Sequence, residues 1–158
     1  MRREPCLPRA AAKGQVSAEA LFVLGLVVPL RGSAKESLSD FEAEIMDRAI
    51  GVVREVIGKS GDAAEAATWA RWIGTTYERM GRHLDAISVF ERLRSSSSAP
   101  AEIRAEAAYR CGLCYYTLAD DKSGRTWMDE VVRLHPDSRW ARQTRAQMYV
   151  WAKYPQAR

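Results

Sequence analysis

Beyond residue 34 of this 158-residue chain, apolar residues recur at helical spacing almost to the end, and no stretch alternates β-branched and polar residues as a strand would. The run SLSDFEAEIMDRAIGVVREVIGKSG sets Phe41, Ile45, Ala49, Val52, Val53, Val56 and Ile57 along one helical face. Ser39 stands three residues before Glu42, the spacing of a capping box, and Gly61 closes the run. A second helix is predicted from Asp62 to Met80, ended by Gly81, which can take the left-handed backbone that terminates helices. A third follows at once, through Phe90 to about Arg94.

The segment SSSSAP then interrupts the pattern, and Pro100 suits the first turn of a fourth helix, where its missing N–H would be unpaired anyway. That helix carries Ala105, Ala108, Cys111, Gly112, Tyr115 and Leu118. ADDKSG separates it from a fifth, with Trp127, Met128, Val131, Val132 and Leu134, stopped by Pro136. A sixth begins after Asp137 or Ser138 and carries Ala141, Thr144, Met148 and Trp151. Connections this short imply antiparallel hairpins packed side by side. The expected class is therefore all-α, with five to six helices after the N-terminal segment.

The hairpin pattern repeats: Gly74 and Tyr77 are matched one hairpin later by Gly112 and Tyr115, and at the same offset Phe90 is matched by Met128. A glycine in mid-helix costs about 1 kcal/mol against alanine, a loss that close approach of a partner helix can offset. Ala86 is the expected partner surface for Gly74, with Tyr77 and Phe90 filling the space on either side. With Gly, Tyr, Ala and Phe at these offsets, and a proline closing each unit, the chain resembles the tetratricopeptide (TPR) family. The first unit spans 62–98, its serine run lengthening the period and delaying the proline to Pro100. The second, 101–136, has Gly124 in place of the small alanine and Met128 in place of phenylalanine. Residues 35–61 and 137–158 are then a flanking helix and a capping helix with a basic tail. VVRLHPDSRWA resembles the repeat-linking segment of bacterial cell-envelope TPR proteins of the outer-membrane assembly and Tol-Pal-associated type.

Charge adds an address rather than a chemistry. The chain holds 24 Lys and Arg against 20 Asp and Glu; residues 1–34 contain five and two of these, leaving 19 and 18 for the rest. The folded part is thus nearly neutral, unlike a domain built to neutralise phosphates. Arg2, Arg3, Arg9 and Lys13 precede the apolar run ALFVLGLVVPL, and GSA ending at Ala34 resembles a small-residue cleavage site. Residues 1–34 therefore read as a signal peptide, which would place the domain in a periplasm or envelope. The alternative is an apolar helix over 17–30 attached to a cytoplasmic domain.

The motifs closest to catalysis have bland readings. Cys111 and Cys114 have CxxC spacing, but they lie mid-helix, not at the helix N-terminus where the dipole lowers a thiol pKa. Small buried thiols are expected, and a thiol oxidoreductase is the weakest of the functional readings. GKS at Gly58 to Ser60 lacks the earlier glycine of a phosphate-binding loop, since Val53 occupies that position. No catalytic set, cofactor site or metal-ligand spacing stands out, and the chain reads as a non-enzyme.

The TPR resemblance implies that a protein or peptide lies across the concave face lined by the first helix of each unit. Carried over residue by residue, it points to Thr68, Arg71, Thr75 and Glu78, then Tyr109, Leu113 and Tyr116, with Arg145 continuing the row. The alternative partner is nucleic acid or an anionic membrane surface. It rests on SRWARQTRAQMYVWAKYPQAR, where Arg139, Arg142, Arg145, Lys153 and Arg158 interleave with Trp140, Tyr149, Trp151 and Tyr154 without an acid.

Overall fold

A computed structural model describes residues 40–154. The expected N-terminal signal, the Ser39 cap, the side chains of Phe41, Ile45 and Val56 and the last tail residues lie outside what is described. Within it are six helices and no strand: α1 (Asp40–Lys59), α2 (Ala63–Arg79), α3 (His83–Ser95), α4 (Ala101–Thr117), α5 (Asp121–Leu134) and α6 (Arg139–Lys153). None of these is long and apolar enough to cross a membrane.

Local chemistry sets the helix ends. Asp62 accepts hydrogen bonds from the backbone N–H groups of Ala64 and Glu65, Asp120 from that of Ser123 and Ser138 from that of Ala141, each satisfying donors the first turn leaves open. Asp120 starts α5 earlier than ADDKSG had implied, so Lys122 to Gly124 are helical. Pro100 sits at the N-cap itself, one residue outside α4.

Each helix packs on its neighbour in the chain, and α2 and α6 also touch α4. The second hairpin reproduces the first at a fixed offset: the step from Ala63 to Ala101, where α2 and α4 start, equals the step from His83 to Asp121, where α3 and α5 start. Gly81 ends α2 with φ 73°, and Ala119, at the same offset, takes the same left-handed backbone with φ 60°. Two cores result. Trp69, Ile73, Phe90 and Cys111 belong to one, and Ala105, Tyr109, Met128 and Trp140 to the other.

A β-carbon on Gly74 would lie 2.5 Å from Cε1 of Phe90, so the Phe90 ring lies directly against the glycine. At Gly112 a β-carbon would meet Met128 at 3.1 Å and the Gly124 carbonyl oxygen at 3.2 Å. The same joint is thus built twice, with Met128 standing in for the phenyl ring. In α1, Met46 and Ile50 are buried with Ala49 and Val53, a deeper face than the apolar stripe implied. Leu118 and Leu134, placed on apolar faces by spacing, are exposed at helix ends instead.

Candidate functional site

The α2 residues of the expected groove share one helical face by their spacing, but most of the row is tied into the fold. Glu106, buried in α4, is its electrostatic centre. One carboxylate oxygen accepts from Arg71 at 3.1 Å and the other from Arg110 at 2.8 Å. Arg110 also reaches Glu78 at 2.8 Å. Arg139 of α6 forms an ion pair with Glu102 at 3.2 Å and approaches Glu106 at 4.0 Å. Burial opposes the charge on Arg110, but the Glu78 and Glu106 carboxylates more than offset it and raise the pKa of its guanidinium. Three cations meet three anions in this network, so it presents little net charge to a partner.

The remaining residues of the row divide between surface and core. The Thr68 and Thr75 hydroxyls donate to the carbonyls of Ala64 and Arg71 one turn back, both at 2.9 Å. Tyr109, expected to contact a partner, is only 4% exposed. Its ring lies 5.2 Å from that of Trp140, and its hydroxyl accepts from Gln143 at 3.0 Å. Burial raises the pKa of that phenol. Tyr109 therefore joins α4 to α6 rather than facing solvent. Leu113 and Tyr116 are half-buried against the second core. Tyr116 meets Trp151 edge-on at 4.4 Å and covers Gly124. Arg145 is exposed and donates to the Pro136 carbonyl at 2.9 Å. Sequence reasoning missed Glu102, Glu106 and Arg110, whose regular four-residue spacing along α4 was the available signal.

Cys111 and Cys114 are fully buried in α4 and reduced. The Cys111 thiol faces the Ile87 carbonyl oxygen at 3.9 Å. Burial, reinforced by the Glu78 charge, pushes the Cys114 thiol up to about 12, and burial raises Cys111 further. Neither is a nucleophile at neutral pH. Alkylation of both should be slow in the native protein and fast once it is unfolded; rapid native labelling would revive redox chemistry. The same burial makes stability pH-dependent. The folded-state pKa lies above the ordinary value of 9.0, so the contribution is complete below that value and is lost as pH climbs toward about 12. The urea midpoint should decline over that window, and less steeply for Cys114→Ala. Among the described residues no three His, Cys, Asp or Glu are grouped so as to hold a metal ion.

An open trough, which no sequence motif marks, lies elsewhere. It encloses about 460 Å³, within the usual range of ligand pockets of roughly 300–1,000 Å³. Ala66 and Ala70 of α2 floor it, Ile57 of α1 and Val89 and Leu93 of α3 wall it, and Arg54 and Arg92 flank it. Comparisons with family models, with curated proteins and with solved structures give no match to this chain.

Proposed function

We propose that the chain is a non-catalytic protein–protein interaction module of TPR type. The observation that carries this reading is the second hairpin's repetition of the first. One offset holds for helix starts, for the left-handed residue and for the glycine joint. Repeats of this kind stack into extended surfaces suited to binding chains rather than small substrates. On this reading, partner contact falls to the half-exposed Thr68, Arg71 and Thr75 and to the exposed Arg145. Tyr109 supports them from beneath.

Residence in a bacterial envelope belongs to the same proposal and rests on residues 1–34 being an export signal. Cross-linking of the tagged full-length protein in cells, with the cross-linked peptides mapped and the mature N-terminus sequenced, tests both parts. Cross-links from α2 and α4 to a protein partner, on a chain beginning near Lys35, are expected. A chain that keeps Met1 removes the export signal, and one that cross-links to no protein removes the interaction module.

A second reading has its own observation. The guanidiniums of Arg142 and Arg145 bond to the backbone carbonyls of Asp137 and Pro136 rather than to carboxylates. Beside them Tyr149 is 65% exposed. Cations left without acids beside an open ring can hold phosphates and stack bases. Filter binding of single-stranded RNA across a salt series decides: retention at low salt that fades as salt rises supports this reading, and no retention at low salt ends it.

A further inference from the structure

We infer that the trough between α1 and α3 is a docking site for an acidic amphipathic helix of a partner protein, one that inserts a bulky apolar side chain and sets a carboxylate one turn away. The inference rests on the interaction-module reading and names the partner's chemistry, on a different surface from the α2/α4 row.

The repeat itself supplies the argument, because the chain builds this junction twice and closes it once. The trough lies over α2, between α1 and α3; its counterpart, one repeat on, lies over α4, between α3 and α5. At the counterpart, Val89 is replaced by Trp127, Arg92 by Glu130 and Ala66 by Arg104. Arg94 of α3 lies over the Trp127 ring, 5.3 Å from its centroid, and bonds to Glu130 at 2.5 Å. One indole, one carboxylate and one guanidinium thus bridge α3 and α5.

The first junction has the guanidiniums but lacks the other two parts. Small Ala66 and Val89 leave the trough open. Arg54 donates to the Tyr77 hydroxyl at 3.0 Å and Arg92 to the Ser88 carbonyl at 3.4 Å, and neither pairs with a carboxylate among the described residues. Both arginines are exposed, one on each side of an apolar floor. What completes the site is what α5 brings to α3: a large apolar side chain followed three residues later by an acid, the spacing of Trp127 and Glu130, which puts both on one helical face. The trough follows α2 from Ala63 to Ile73, about 15 Å at helical rise, which is room for roughly three turns of a docked helix.

The test uses the full-length chain and two fluorescein-labelled helical peptides. One carries a tryptophan with glutamate three residues later and a second glutamate on the opposite flank; the other has lysine in place of each glutamate. The wild-type protein should raise the anisotropy of the acidic peptide and leave the basic one unchanged. Arg54→Glu combined with Arg92→Glu should weaken the acidic peptide about tenfold or more and reverse the preference, since exposed pairs contribute up to about 1 kcal/mol each and every 1.4 kcal/mol is tenfold. Val89→Trp, which imports the second junction's own plug, should abolish binding of both; circular dichroism on each variant reports folding, and the charge reversal at exposed positions stands as the test if the tryptophan variant misfolds. Equal binding of both peptides, no binding of the acidic peptide, or a preference unmoved by charge reversal overturns the site. Loss of binding on Arg71→Glu instead, with the Arg54 and Arg92 reversal silent, overturns the trough while leaving the interaction module in place.

Discussion

Glu106→Ala is expected to lower the stability of the fold by about 3 kcal/mol, the low end of what removing one partner from a buried charge network costs. The carboxylate is 3% exposed and receives a hydrogen bond from Arg71 on one oxygen and from Arg110 on the other. Its removal leaves Arg110 with Glu78 and takes from Arg71 the carboxylate it pairs with. Water reaches Arg71, whose side chain is 39% exposed, and this screening holds the loss at the low end. For the same reason Arg71→Ala should cost less, about 1 kcal/mol or below. Urea denaturation gives the comparison: a lower midpoint at unchanged slope is expected for Glu106→Ala. An unmoved midpoint would mean that α2 and α4 do not depend on this carboxylate.

Gly74→Leu is expected to cost about 1–3 kcal/mol by overpacking. The first added carbon already falls 2.5 Å from the Phe90 ring, and Phe90 is fully buried. Gly51 in α1 is the control, because a β-carbon there meets nothing within 4 Å. Gly51→Ala should instead stabilise the helix by up to about 1 kcal/mol, since only the entropic cost of glycine is removed. Opposite signs at two helical glycines would tie the effect to the Gly74 joint; a neutral Gly74→Leu would mean that α2 and α3 do not meet there.

Helix identity was readable because it rests on local chemistry. Asp62, Gly81 and Ser138 act within a few residues of themselves, and apolar spacing carries the rest. The glycine joint was readable as a repeat but not in its detail, since spacing marks Gly74 as a close-packing position without saying how near the Phe90 ring comes. The α2/α4 row was read from family positions, and there the chain's own neighbours decide. Tyr109 is buried because α6, two helices further along the chain, brings Trp140 against it. Glu106 draws Arg71 across a similar stretch of sequence, a pairing no local pattern reveals. The trough was the hardest feature to see, because it is made by small residues. Its only trace is a difference between units, alanine and valine where the second hairpin has arginine and tryptophan.

The order of helix packing also bears on how the chain reaches this state. Most interfaces join helices adjacent in sequence; α2 and α6 also touch α4, and Arg94 of α3 reaches Glu130 of α5. Such local wiring gives a low contact order, and chains of this kind fold in microseconds to milliseconds because few long loops must close first. Helices α2 to α5 each pack on both of their neighbours in the chain, whereas α1 is the first helix of the described stack and its main contact among the described residues is with α2. Amide protection should therefore be greatest in the inner helices α2 to α5 and fall away toward α1, which frays before the rest opens. The wall of the trough contributed by α1 is the part of that site the native state surrenders first.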